Sequence, residues 1–279
     1  MVATITAREK DMTHATTSSS QSTEEAPALH ALLEGFIDYA GLFPPAKLPL
    51  DQALANYSRY QKSDHSWMLR WFVVGGADAE RVPASYDGTL SILAESEQTR
   101  AATIESTTLM QVQPSRPTYV EVAKDALDQL DAVREKKAYA KIRTGGLKPE
   151  AIPTPAEVAA FITACAVRRL PFKATAGLHH PIRSQQPLTY EKDSPRAVMH
   201  GFINVLMAAA FAWRGDTEIA AVIAEMDPAA FSFADRACWR DRCLTLEEIK
   251  DARQNFVHSV GSCSFEEPVQ DLRSLGWLE

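Results

Sequence analysis

Long apolar runs are scarce in this sequence, and none is expected to cross a bilayer. The longest apolar run, Ala197 to Trp213, is broken by His200 and Asn204, whereas a spanning helix needs about 20 mostly apolar residues. The amino terminus carries no apolar segment of the kind that directs secretion. Basic charge is short as well: 29 Lys and Arg stand against 36 Asp and Glu, a formal net charge of −7. Affinity for nucleic acid comes from clustered cations, so neither nucleic acid nor a membrane is an expected partner. The pairs Lys136-Lys137 and Arg168-Arg169 fall near the ends of predicted helices, where cations offset the helix dipole. No Gly-x-Gly-x-x-Gly follows a predicted strand, which removes the usual dinucleotide fingerprint.

Cysteine is scarce too, with Cys165, Cys238, Cys243 and Cys263 only. Cys165 lies in an apolar helical run and reads as a small core residue. Cys238 and Cys243 are separated by four residues, wider than a usual zinc half-site, and no second pair accompanies them. No disulfide framework is expected. These absences predict a soluble, reduced, cytoplasmic protein with no cofactor and no resident metal. A small molecule is the expected partner, and self-association into a homo-oligomer stays open.

What is present is ordinary globular composition: 46% hydrophobic and 23% charged over 279 residues, enough to bury a substantial core. Residues 1–26 are rich in Thr, Ser and Ala without apolar periodicity and read as a disordered tail. From there the chain alternates short apolar runs with amphipathic ones. Strands are predicted at Phe36 to Phe43, Trp67 to Val74, Leu90 to Ala94, Leu109 to Val112, Thr118 to Val122, Tyr139 to Arg143, Pro171 to Ala176 and His258 to Cys263. Helices are predicted between several of them. Thr154-Pro155-Ala156-Glu157 and Thr245-Leu246-Glu247-Glu248 are capping-box starts, and Ser194-Pro195 is predicted to open a helix that runs to Arg214.

Strand–helix alternation of this kind predicts parallel strands joined by crossovers. The expected architecture is one α/β domain over 27–279, a TIM-type (β/α)8 barrel, with a small insertion at about 215–244. An open, doubly wound parallel sheet is the alternative. The connection between the Leu109 and Thr118 strands is far shorter than the dozen or so residues a parallel crossover needs. The barrel is therefore distorted there, or one strand is misplaced.

Two strands end alike, Lys141-Ile142-Arg143-Thr144-Gly145-Gly146 and Lys173-Ala174-Thr175-Ala176-Gly177. A barrel interior is mostly branched apolar side chains, so two lysines near neighbouring strand ends point to a site. An amine with a pKa of about 10.4 is protonated at neutral pH and cannot attack a carbonyl. A second cation about 6 Å away, at an effective dielectric of about 20, disfavours that protonation by roughly 2.8 kcal/mol. Paired lysines are thus one way to make a Schiff-base nucleophile.

Over Tyr139 to Leu178 the arrangement resembles the class I aldolases of the deoxyribose-phosphate aldolase type, in which two neighbouring strands end in Lys-x-x-x-Gly-like segments. The resemblance implies a barrel in which Lys141 forms the Schiff base and Lys173 lowers its pKa. Arg143 stands where that family carries a small residue, and Glu121 is the candidate for the family's aspartate.

Other candidates surround the pair. His179 and His180 begin a connection of about 16 residues, long enough to be a lid. On an extended chain they point to opposite sides, so one of them at most faces a substrate; His179 is the acid/base candidate. Arg143, Thr175 and His180 are candidates for substrate binding. Ser262 and Ser264 suit phosphate binding at a helix start, and Cys263 between them is a packing residue or a thiol with a lowered pKa. Asp38, at the end of the first strand, could hold a lysine or a metal. The leading expectation is a lyase or isomerase acting on a small anionic carbonyl compound, a phosphorylated sugar or a keto acid, through a lysine imine. The alternatives are a metal-dependent barrel enzyme using His179, His180, His200 or Glu266, and a non-catalytic barrel that binds a metabolite.

Overall fold

A computed structural model describes residues 26–94, 100–113 and 115–279. Eight parallel strands close into a barrel: β1 (Ile37–Tyr39), β2 (Leu69–Gly75), β3 (Leu90–Leu93), β4 (Thr103–Ser106), β5 (Thr118–Glu121), β6 (Tyr139–Arg143), β7 (Phe172–Thr175) and, after insertions, β13 (Val257–Ser262). Each strand pairs with its sequential neighbour, and β13 pairs with both β7 and β1. This is the TIM-type barrel that the strand–helix alternation predicts; the open sheet is not formed. The predicted tail falls almost wholly outside the described residues.

The helices are α1 (Pro27–Leu33), α2 (Leu50–Tyr60), α3 (Gly76–Ala79), α4 (Gln129–Glu135), α5 (Pro155–Val167), α6 (Phe202–Arg214), α7 (Ala220–Ala224), α8 (Leu246–Asn255) and α9 (Glu266–Ser274). Two start where their capping boxes place them. Thr154 and Glu157 bond each other's backbone at α5, and Thr245 and Glu248 do so at α8, satisfying amide donors that a helix start leaves orphaned. The helix ring is uneven. Among the described residues no α-helix joins β3 to β4 or β4 to β5; residues 107–117 carry only the 3-10 turn Leu109–Gln111.

That turn is where a strand was expected, and the correction resolves the spacing conflict. The fourth strand is Thr103-Ile104-Glu105-Ser106, fully buried, which leaves room to cross to β5. Its single strongly apolar residue hides it from periodicity.

Three further departures concern the insertions between β7 and β13. The helix expected from Ser194 begins only at Phe202, and the segment before it is an antiparallel hairpin of β8 (Ser184–Pro187) and β9 (Arg196–Met199). Ser194 does not cap a helix; its hydroxyl accepts the Thr189 N–H and closes the hairpin turn. The expected small hairpin within 215–244 is a three-stranded antiparallel sheet of β10 (Phe231–Phe233), β11 (Arg236–Trp239) and β12 (Arg242–Thr245). On it Cys238 and Cys243 are direct cross-strand partners and are joined by a disulfide. The expectation of four reduced cysteines is therefore corrected: antiparallel register, invisible in the spacing alone, sets the two side chains face to face. Cys165 and Cys263 are free and buried.

Candidate active site

The parallel register builds the site. It sets Glu121 beside Lys141, and Lys141 beside Lys173, on one inward face. Both lysines are buried, at 2% and 1% exposure. Glu105 reaches from β4 and accepts from each: its Oε2 lies 3.2 Å from Lys141 Nζ and its Oε1 lies 2.7 Å from Lys173 Nζ. Lys141 Nζ is also 3.1 Å from Glu121 Oε2. Lys173 Nζ donates to Asp38 at 2.5 Å, and Ser259 Oγ donates to the same carboxylate oxygen at 2.7 Å. Arg143 grips Glu121 with two bonds of 3.1 and 3.2 Å. The cluster is charge-balanced, with Lys141, Lys173 and Arg143 against Asp38, Glu105 and Glu121.

The balance decides the electrostatics. Burial works to strip the Lys173 proton, but Asp38 and Glu105 outweigh it and hold its pKa above the ordinary lysine value. Burial likewise works to protonate Glu105, and Lys173 with Lys141 outweighs it, holding the carboxyl far below the usual range. Glu121 is lowered by Lys141 and Arg143 against its own burial. The sequence-based picture of two cations repelling one another is therefore corrected, because a carboxylate sits between them. Glu105 escaped the sequence reading because its strand did. The clue was the impossible spacing between Leu109 and Thr118.

Above Lys141 and Glu105 a cavity of about 530 Å³ opens at the carboxyl ends of the strands. This is the face where barrel sites are built. Apolar side chains, among them Phe43, Leu93, Leu147 and Met199, form much of its wall. The β8–β9 hairpin contributes Gln186 to Tyr190 to the wall, so the connection expected as a long loop after His180 is a hairpin that borders the cavity. Arg143, Thr175, His179, His180 and Cys263 also reach the wall. The chain bends at the two histidines, so both face the cavity, contrary to the extended-chain expectation. Asp38, Lys173, Glu121, Ser262 and Ser264 do not line it. The two serines are occupied locally: Ser262 Oγ donates to Ser264 O at 2.7 Å, and Ser264 Oγ accepts the Glu267 N–H at 3.1 Å. The expected phosphate cradle is thus turned inward upon the start of α9.

Burial pushes His179 down to about 4, so its imidazole is neutral at neutral pH. His180 Nδ1 lies 2.6 Å from Asp271 Oδ2. Burial pushes the Cys263 thiol up to about 11, against the expected lowering by a helix start. Of the two roles expected for Asp38, the structure shows the contact with a lysine, Lys173. Among the described residues no three His, Cys, Asp or Glu side chains converge as a metal-ligand set. His200, fully buried, bonds Pro153 O at 2.7 Å, while Glu266 pairs with Arg59 at 2.7 Å.

The loops after β6 and β7 meet at two glycines. A Cβ on Gly145 would lie 2.8 Å from Gly177 Cα and 3.1 Å from Ala176 O, and backbone cannot swing aside. Gly145→Ala is therefore expected to part the loops and cost on the order of 1–3 kcal/mol, read by thermal denaturation, with unchanged stability contradicting the contact. Comparison of the sequence with protein-family models and with curated proteins gives no match.

Proposed function

We propose that this chain is an aldolase-like lyase, or an isomerase, that acts on a small anionic carbonyl compound through an imine on Lys141. One observation carries the reading: Lys141 is buried at the cavity floor, between Glu105 and Glu121. To attack a carbonyl the amine must first give up a proton, and the Glu121 carboxylate, 3.1 Å from Lys141 Nζ, is in reach to take it. The iminium then formed carries the same charge as the ammonium it replaces. The carboxylates that hold one hold the other, without rearrangement of the fixed charges. Lys173, locked to Asp38 and Glu105, serves as the permanent cation that keeps Glu105 ionised. Arg143, anchored by Glu121 at the wall, is the cationic partner for the substrate's phosphate or carboxylate.

Buried ion pairs add little net stability compared with apolar packing, so stability alone gives no reason to place these charges under an open cavity. A second reading is favoured by the same burial. Lysines closed to solvent and paired with carboxylates suit a barrel that binds a metabolite without transforming it. Borohydride separates the two. We expect incubation with pyruvate, acetaldehyde, glycolaldehyde or glyceraldehyde phosphate, followed by reduction, to add the mass of one reduced adduct to the wild-type protein and none to Lys141→Met. No adduct with any of them favours the binding reading.

A further inference from the structure

A second group of reactive side chains lines the same cavity, above the lysine floor. Tyr190, carried by the hairpin, donates its phenol proton to Glu267 Oε2 at 3.0 Å and lies 3.7 Å from Cys263 Sγ. His179 Nδ1 is 3.5 Å from the same Glu267 oxygen and 3.1 Å from Ser262 Oγ. Because the Ser262 proton is committed to Ser264 O, the network assigns the His179 proton to Nδ1, directed at Ser262 and Glu267. The backbone of Glu267 is fixed by the Ser264 hydroxyl. Glu266 beside it turns away to Arg59.

Two carboxylates thus line one cavity in opposite settings. Glu105 is locked between two lysines. Among the described residues Glu267 has no cation at salt-bridge distance, its neighbour there being the neutral His179, and burial raises its pKa, with Asp271 adding to this and Tyr190, His180 and Ser264 opposing it. Carboxyl groups pushed apart in this way divide the labour of a reaction, one as fixed charge and one as proton carrier.

We propose that Glu267 is the acid/base group that exchanges a proton with the substrate hydroxyl at the far end of the scissile bond, and that Tyr190 is its positioning residue. The proposal rests on the imine reading of Lys141. In the cleavage direction Glu267 takes the O–H proton of the β-hydroxy iminium, and that electron pair forms the carbonyl of the leaving aldehyde. The Cα–Cβ bond breaks, its pair becomes the enamine double bond, and the C=N π pair moves onto the Lys141 nitrogen. In the addition direction every step reverses, and Glu267 returns the proton.

The test uses the full chain and two readouts. One is release of a fluorescent aryl aldehyde from a β-hydroxyketone probe; the other is borohydride trapping of pyruvate. Glu267→Gln is expected to slow aldehyde release by roughly 10²–10⁴-fold while trapping persists, which also shows that the variant folds. Glu267→Asp should recover part of the rate. Tyr190→Phe should shift the pH dependence of cleavage, a change that a merely structural role would not produce; the groups facing Glu267 that bear on this profile are Tyr190, His179, His180, Cys263 and Asp271. If Glu267→Gln cleaves the probe at the wild-type rate while Lys141→Met is inactive, the Glu267 proposal fails and the imine reading stands. Wild-type protein that traps pyruvate but never cleaves the probe also overturns it. Wild-type protein that neither traps nor cleaves overturns both.

Discussion

Glu105→Gln is expected to destabilise the barrel by roughly 3–5 kcal/mol, the usual cost of leaving a buried charge without its partner. The size follows from the position of the side chain. Among the described residues Glu105 is the only carboxylate that touches both lysines, and its loss leaves Lys173 paired with Asp38 and Lys141 with Glu121. Ser91, which donates to Glu105 Oε1 at 2.8 Å, keeps an acceptor in the glutamine, so the loss is one of charge. The pH dependence has a definite sign. The native pKa of Glu105 lies below its unfolded value, so its contribution is complete above about pH 4.3 and is lost as pH falls toward the native pKa. Lys173 has a native pKa above its unfolded value; its contribution is complete below about pH 10.4 and fades only as pH rises beyond that. Chemical denaturation of wild type and Glu105→Gln at several pH values reads both. The variant should show the lower midpoint and a flatter acid limb, and an unchanged midpoint would contradict the bridging role.

Lys141→Met is expected to abolish turnover and imine trapping, yet to unfold the protein less than Lys173→Met does. Without Lys141, Glu121 keeps Arg143 and Glu105 keeps Lys173. Without Lys173, Asp38 is left as a buried carboxylate whose donors among the described residues are Ser259 and the Trp71 amide. Removing a nucleophile that forms the covalent intermediate costs activity by orders of magnitude, because no other group splits the reaction into two easier steps. The two lysines, alike in sequence, are thus expected to separate into a residue for chemistry and a residue for charge. Parallel denaturation and activity measurements on both variants test this. Equal destabilisation by the two would argue that Lys141 too is structural.

The fold was legible wherever local chemistry and tertiary role agree. The capping boxes at Thr154 and Thr245 satisfy their own helices, so their meaning is local. The ends of β6 and β7 were visible because a lysine before a glycine turn is foreign to a barrel interior. Glu105 is the instructive miss. It sits in a strand whose alternation it spoils, because the two buried lysines need a carboxylate where packing would place an aliphatic residue. Other misses arise from pairings that only the folded chain makes. Ser194-Pro195 resembles a helix start, but the Ser194 hydroxyl is taken by Thr189 in a hairpin turn. Cys238 and Cys243 become partners only once β11 and β12 adopt their register. The repulsion between Lys141 and Lys173 was misjudged for the same reason: like charges near in register repel only if nothing lies between them, and Glu105 comes from β4, two strands beyond Lys141 round the barrel.

The central claim, that Lys141 forms a covalent imine at the floor of the cavity, is tested most directly by locating the reduced adduct. Wild-type protein incubated with pyruvate and borohydride would be digested, and its peptides sequenced by mass spectrometry. A single modified lysine at position 141, with Lys173 untouched, is the predicted result. Modification confined to Lys173 or to exposed lysines, or none at all with any of the carbonyl probes, would contradict the account.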